Sequence, residues 1–417
     1  MNSKKGTRHP RYWRYSESNT KSDCPCLRPI RLPCGQEVAS SSASKRDWDS
    51  IHYPVCVGER QSERFIGNCL SSVELVEEDE DAVRVHFPIS PWNQQRQFEK
   101  PVFVFPAHIA MYATHLRNQG HTIYWGDNPT CSTDLIVKDD FDIGVPFDQL
   151  PYPDRILTDG KNKRWQSYGN YKLHPATHMM ASNLCWYGKC TFCVDTYKLE
   201  HGEKRGVRSV DHVMEEIDDL IAKGYREVFD DSGTFPVGKW LEEFCQKMQS
   251  RKKKIMIGIN MKPVKLDYKM MANAGFRFIL VGIESANQET VNRIKKGQRS
   301  EDIIPIIKSM SDAGLEPHLT SMFGYEWESH EDAMNTVKLV HYLLKKGYAK
   351  TAQASVFSPP RTAPDPNSPG HKYISMIYEA YRSPSFWYHK LADIRRVEDV
   401  TYLLRGARLV IEEKLRK

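Results

Sequence analysis

Between residues 175 and 357 short apolar runs alternate with amphipathic stretches at a spacing of about 30 residues, and this regularity constrains the fold more than any other feature of the chain. Ala176 to Ser182 reads as the first strand, followed by a helix over Val210 to Lys223, with Ser209 as N-cap and Gly224 as its stop. Strands are expected at 227–231, 254–260, 278–283, 318–323 and 352–357, with helices at 237–249, 267–275, 301–313 and 330–346 between them. Ser329 with Asp332 makes a variant of the capping box for the last of these helices. Right-handed crossovers between such units lay the strands parallel and curl them into a barrel, which about eight units close and six leave open. The expected fold class is α/β: a partial (β/α)6 TIM-like barrel, with a short N-terminal βαβ remnant and a C-terminal helical segment. In such folds the chemistry sits at the carboxyl ends of the strands.

The flanks are less regular. Residues 1–60 form a basic, Ser-rich stretch with no sustained periodicity, read as an unstructured tail, and residues 61–100 are left uncertain, offering at best short strands such as Ala82 to Phe87. Residues 101–155 hold a strand at 102–105, a helix at 108–118, strands at 122–125 and 134–137, and a Pro-rich linker from Val145 to Arg155. The barrel covers 170–365, and 366–417 reads as two or three helices, among them Val397 to Lys414.

Of the net charge of +6, residues 1–50 carry most, with ten Lys/Arg against five Asp/Glu. The body is left near neutrality, with no long-range field for nucleic acid, so a nucleic-acid partner is not expected. No apolar run approaches the roughly 20 residues of a membrane span, and the N-terminus lacks the apolar stretch of a secretory signal. A cytoplasmic protein with reduced thiols is the expectation.

Three of the ten cysteines crowd into one loop straight after the first barrel strand: Cys185, Cys190 and Cys193. Three thiolates can grip one metal centre and leave a coordination position open, whereas four would close it. A catalytic iron-sulfur centre is one outcome. A structural zinc or iron-sulfur site completed by a histidine such as His201 is the other. Cys24, Cys26 and Cys34 form a looser second group, able to ligate a further metal, while Cys56, Cys69, Cys131 and Cys245 look like isolated thiols.

With the cysteines at the mouth of a partial barrel, the chain resembles the radical S-adenosylmethionine (radical SAM) superfamily, in the branch that often carries a cobalamin-binding domain ahead of the barrel. The resemblance covers about residues 101–365. It implies that Cys185, Cys190 and Cys193 bind a [4Fe-4S] cluster whose fourth iron is chelated by S-adenosylmethionine, and that Phe192 lies against the adenine. It further implies that Asp230, Asp231 and Ser232, at the end of the second strand, meet the methionine amino group. Glu284 and Ser285, in a Gly-Ile-Glu-Ser motif, would help to position the cofactor. The expected activity is reductive cleavage of S-adenosylmethionine to a 5′-deoxyadenosyl radical that abstracts hydrogen from a small-molecule or peptide substrate. An electron donor such as flavodoxin or ferredoxin is the implied partner.

The chain departs from the family pattern in places. Four residues separate the first two cysteines where the family has three, and Gly188 can absorb the extra residue because glycine reaches backbone angles that others avoid. The turns Phe323 to Ser329 and Ser358 to Thr362 resemble family elements with key residues altered, and no catalytic role is assigned to them. Residues 101–155 look like a truncated cobalamin domain without the Asp-x-His-x-x-Gly that supplies a histidine to cobalt, so cobalamin is not expected. A cobalamin-dependent methyltransferase remains the alternative reading.

Overall fold

A computed structural model describes residues 107–125, 135–136, 145–155, 171–360 and 362–405, together with the backbone of strands at 28–31, 37–40, 55–56 and 84–87. The chain divides into two compact units, Met1–Ser167 and Tyr168–Lys417.

In the first unit, strands Arg84–Phe87 and Thr122–Trp125 run parallel, with helix Ala107–Asn118 between them in sequence. Leu135–Ile136 adds parallel to the first of these strands, and Val55–Cys56 antiparallel to the second. Arg84–Phe87 falls within the short strand expected at Ala82 to Phe87, whereas Val55–Cys56 is recruited from the stretch read as tail. A further antiparallel pair, Arg28–Arg31 with Glu37–Ser40, also falls within the stretch read as an unstructured tail. In the polar context of the tail, strands of two to four residues are too short for their periodicity to stand out. The strand expected at 102–105 lies outside the described residues, as do Cys24, Cys26, Cys34, Cys69 and Cys131. The Pro-rich segment 145–155 folds back on the helix: Phe147 and Leu150 are buried, the Asp154 backbone N–H donates to Thr114 Oγ1 (2.8 Å), and Arg117 pairs with Asp154 (2.6 Å). Its prolines limit regular structure to one 3-10 turn at Phe147–Gln149, and its apolar side chains still find cover.

The second unit is built on six strands: β1 (Ala176–Met179), β2 (Glu227–Asp230), β3 (Met256–Met261), β4 (Phe276–Glu284), β5 (Glu316–Phe323) and β6 (Thr351–Val356). They pair in sequence order, all parallel, into an open sheet, the topology of a partial TIM-like barrel. The interleaved helices are α1 (Val194–Glu200), α2 (Val210–Ala222), α3 (Lys239–Gln249), α4 (Tyr268–Ala274), α5 (Gln288–Arg293), α6 (Ile303–Asp312) and α7 (His330–Lys345). Beyond β6 follow α8 (Gly370–Glu379) and α9 (Pro384–Ala392). Local signals hold these helices. Ser209 Oγ accepts from the His212 N–H, Asp267 Oδ1 from the Met270 N–H, and Ser329 with Asp332 completes the capping box. Gly275 ends α4 in the left-handed conformation. Helices α1 and α5 escape a periodicity reading because neither is two turns long. Among the described residues no helix is long and apolar enough to cross a membrane.

Alternation along the strands sorts the two faces of the sheet. Ile257, Ile259, Val281, Ile283 and Leu319 join Ile217, Phe244, Ile307 and Leu344 of the helices in one apolar core. The opposite positions, Asn260, Leu280, Thr320, Met322 and Gln353, remain half-exposed and line the inside of the barrel. Deeper in, His178, Phe229, Phe278 and His318 form an aromatic layer, and Gly258 supplies room for the Phe229 ring, which an added Cβ would meet at 2.6 Å.

The amino-terminal end of the barrel is sealed by charge. Arg277 bonds Glu227 through Nε (3.0 Å) and Glu316 through Nη1 (2.7 Å), while Lys172 Nζ bonds both Glu316 and Asp399 (2.6 Å each). Glu227 also accepts the backbone N–H groups of Lys172 and Leu173. Asp399 belongs to helical backbone at 397–405, so the plug joins the end of the described chain to the strand bottoms. Burial alone would raise Glu316, but Arg277 and Lys172 hold it below its usual value. Replacing Arg277 by Met strands Glu227, which is 1% exposed, and is expected to cost about 3–5 kcal/mol of stability in urea titration of the metal-free protein. A loss below about 1 kcal/mol, the range of surface pairs, would show that the plug is dispensable.

Candidate functional site

The carboxyl ends of the strands carry the cysteine loop, which runs from the end of β1 into α1. A backbone bridge between Ser182 and Val207 closes its base, and beneath it the fully buried Arg208 donates to the Met180 carbonyl (3.1 Å) and pairs with Glu216. Asp230 adds two further ties. One of its oxygens accepts from the Ala181 N–H (2.7 Å), the other from the Ser232 N–H (3.0 Å), and Ser232 Oγ accepts from the Ser182 N–H (2.9 Å). Burial pushes Asp230 up to about 7 against these hydrogen bonds.

Within the loop, the Cys185 N–H donates to Asp195 Oδ2 (2.8 Å) from the first turn of α1, and the Cys185 thiol donates to Thr234 Oγ1 (3.2 Å). Gly233 permits this approach: a Cβ there would stand 2.0 Å from Asp195 Oδ2 and 3.3 Å from Cys185 Cβ. The Cys193 N–H donates to the Cys190 carbonyl (3.1 Å), and Cys193 is the cap residue of α1. Cys185 and Cys190 are buried and Cys193 partly so, and none of the three is in a disulfide. Burial raises the Cys190 thiol, and burial with the Asp195 charge pushes Cys193 up to about 12. Raised in this way, Cys190 and Cys193 hold their protons as bare thiols, so any metal they take must displace them.

The residue by which the loop exceeds the family spacing has a structural use. Gly188 adopts φ 54°, where a Cβ would meet Leu199 at 2.5 Å, and the turn it makes presents Tyr187 to the segment after α5. There the Tyr187 hydroxyl donates to the Lys295 carbonyl (3.0 Å) and packs on Gly297, while the Thr191 N–H donates to the Ile294 carbonyl (3.1 Å). Lys262 Nζ lies 3.3 Å from the centre of the Tyr187 ring and donates to the Lys296 carbonyl (2.8 Å). Burial brings Lys262 down to about 8.

Glu284 ends β4 with φ 57°, an uncommon angle for a residue with a side chain, and its Oε1 accepts from Lys296 Nζ at 2.8 Å. Gly282 makes space for the pair, since a Cβ there would fall 2.4 Å from the Glu284 oxygen and 2.6 Å from the Lys296 nitrogen. Burial alone would lower Lys296, but Glu284 holds it above its usual value. Lys296 also stands over the half-buried Phe192 ring at 5.5 Å. The charges of Lys296, Cys185, Lys262 and Glu284 all act on Cys190, so residues at or beyond the ends of three strands, β1, β3 and β4, converge on one locus.

Of the residues singled out from sequence, the three cysteines, Phe192 and Glu284 come together here. Asp231 adjoins them through Asp195, and burial with the charges of Asp230 and Asp195 pushes it up to about 7. Asp230 and Ser232 are taken up by loop backbone. Ser285 is fully buried, its hydroxyl accepting from the Asn287 N–H (3.1 Å) and facing Thr336 Oγ1 (3.4 Å). These three shape the loops rather than open onto the mouth. His201 lies apart from the thiols' hydrogen bonds, its ring stacked on Tyr197 (3.9 Å) and its Nδ1 at 2.7 Å from the Tyr197 carbonyl. Sequence reasoning passed over Lys262, Asp195 and Tyr325. Lys262 and Asp195 sit in loop or first-turn positions that no periodicity marks.

Residues 179–340 match the Radical SAM superfamily. This stretch is a radical SAM domain. Among solved structures, the domain is similar to the radical S-adenosylmethionine methyltransferase TsrM from Kitasatospora setae. Identity is 20% and the TM-score 0.37, over 43% of this chain and 34% of that one. It is also similar to the cobalamin-dependent S-adenosylmethionine radical enzyme OxsB (16% identity, TM-score 0.41, 64% and 35% covered). A third is coproporphyrinogen III oxidase, HemN, from Escherichia coli (14%, TM-score 0.36, 52% and 55% covered). The chain spans about a third of the length of the first of these structures. No curated protein matches it.

The close approach of Asp195 to Gly233 in this radical SAM domain can be tested directly. Gly233→Ala is expected to lower the melting temperature by several degrees, and Asp195→Ala in the same chain to recover part of it. A coupling of about 1 kcal/mol or more in the double-mutant cycle is expected, and additive effects would place the strain elsewhere.

Proposed function

We propose that the protein is a radical SAM enzyme in which Cys185, Cys190 and Cys193 hold a [4Fe-4S] cluster. The observation that carries this reading is the set of three non-disulfide thiols on one loop at the carboxyl end of a six-stranded parallel barrel, inside the stretch that matches the superfamily. The donor set suits the group: sulfur ligands select iron-sulfur clusters, and three leave one iron for a second ligand. Lys262 and Lys296 offset the negative charge that three thiolates bring into a buried place.

When bound, the cluster supplies one electron to the sulfonium of S-adenosylmethionine, giving methionine and a 5′-deoxyadenosyl radical that takes hydrogen from a substrate. The protein's part is to hold and exclude. Asp195, Thr234 and Gly233 fix Cys185, while Tyr187 and Thr191 pin the loop to the turn after α5. Asp231, close to its midpoint near neutral pH, and Glu284 are the carboxylates suited to accept from the cofactor's ammonium or hydroxyl groups. Phe192 offers an apolar face for a planar base. Asp230, Ser232 and Ser285 support these groups from behind. The half-exposed inner face of Asn260, Thr320 and Gln353 receives a small-molecule or peptide substrate, and a flavodoxin or ferredoxin supplies the electron. Cobalamin is no part of this reading, because residues 101–155 contain no Asp-x-His-x-x-Gly.

The anaerobically reconstituted, reduced protein is expected to convert S-adenosylmethionine to 5′-deoxyadenosine and methionine, measured by chromatography of the quenched mixture. Cys190→Ala is expected to abolish turnover and to lower iron per chain. Undiminished turnover in that variant would refute the ligand assignment, and a colourless protein binding zinc alone would refute the enzyme.

A further inference from the structure

Tyr325 follows the end of β5, its ring packed against Trp327 (centroids 5.3 Å apart) and Phe357 (4.8 Å), with 3% of the residue exposed. Its hydroxyl is buried and has no hydrogen-bond partner among the described residues. Buried hydroxyls are rarely left in that state, and phenylalanine would make the same ring contacts without the penalty. The arrangement fits a group whose partner arrives from outside the protein.

Position narrows the identity of that partner. Tyr325 lies two residues past the carboxyl end of β5, the strand that pairs Ser321 with Glu284 at the end of β4. It therefore stands at the same end of the sheet as the Glu284–Lys296 pair, and the charges of Glu284, Glu328 and Cys190 reach its phenol. Burial and these negative charges push its ionisation well above the usual tyrosine value, so the group stays an O–H donor. A donor needs an acceptor. An ammonium has no lone pair and the single lone pair of a cationic sulfonium is a very poor acceptor, which leaves the carboxylate, a sugar oxygen or a base nitrogen of a bound nucleoside-amino acid conjugate.

We propose that the Tyr325 hydroxyl donates a hydrogen bond to an oxygen or a base nitrogen of S-adenosylmethionine bound beside Cys190 and Glu284. The inference rests on the radical SAM reading above. It assigns a binding role to a turn whose sequence departs from the family pattern.

Tyr325→Phe removes only the hydroxyl. In the full-length, anaerobically reconstituted protein, iron per chain is expected to be unchanged, and S-adenosylmethionine, measured by equilibrium dialysis, to bind roughly 10-fold more weakly. The metal-free variant is expected to melt at the wild-type temperature or above it, because an unmet polar group has gone. Equal affinity in variant and wild type would overturn the proposal, as would a variant that melts lower or fails to fold, since the hydroxyl would then serve the protein's own structure. A wild-type protein that takes up iron but binds no S-adenosylmethionine would overturn the radical SAM reading itself, and the proposal with it.

Discussion

A loop that must present three thiols can bury little apolar surface of its own, so its shape depends on hydrogen bonds brought to it by neighbouring strand ends. The decisive one is the bond from the Cys185 N–H to Asp195, because it ties the first cysteine to the helix that the third cysteine caps. That bond exists only because Gly233 has no side chain. One glycine after β2 thus governs the spacing of the cysteines carried by the loop after β1. Asp230 and Ser232, a few residues earlier, bind the same loop at its base. The Asp-Asp-Ser-Gly-Thr segment is therefore a clamp on the cysteine loop, with Asp231 as the member left for ligand chemistry.

Electrostatics distinguishes the two ends of the barrel. At the amino-terminal end Arg277, Glu227, Glu316, Lys172 and Asp399 satisfy one another. At the carboxyl end the charges are held but incompletely matched. Lys262 is brought down toward neutrality by burial, Asp231 is pushed up, and the Cys193 thiol is raised far above the pH of the cell. A site of this kind is unfavourable when empty of ligand and improves when a polyvalent group arrives to take thiolates and cations together. The sealed end provides the rigidity that the strained end requires.

Much of this was legible in the chain before its structure. Ser209, Asp267 and the Ser329–Asp332 pair each announce a helix start, and each does so because its cap is a local interaction between residues three apart. The six parallel strands follow from apolar runs buried on one face and from the regular spacing of units. The cysteine trio is visible as a spacing. Legibility ends where contacts are made across the strand tops: Asp230 and Ser285 look like ligand-facing groups in sequence, and only their bonds to Ala181 and Asn287 show that backbone has claimed them. In the same way Lys262 acquires meaning only from Tyr187, 75 positions earlier and paired through the barrel's curvature.

The extra residue between the first two cysteines illustrates how a departure from pattern can be absorbed without loss of chemistry. An insertion in a tight ligand loop would ordinarily displace the second ligand, since each added residue extends the chain by up to about 3.5 Å. Here Gly188 turns back at positive φ and converts that length into an outward step of Tyr187. The tyrosine then spans to Lys295, and Lys262 covers its ring, so the loop gains an anchor on the β4 side that a shorter loop could not reach. Cys190, which follows directly, is held between that anchor and the Thr191 bond to Ile294. The added residue therefore fixes the second cysteine from the opposite side to the Asp195 clamp on the first, and the two restraints together define where the three thiols sit.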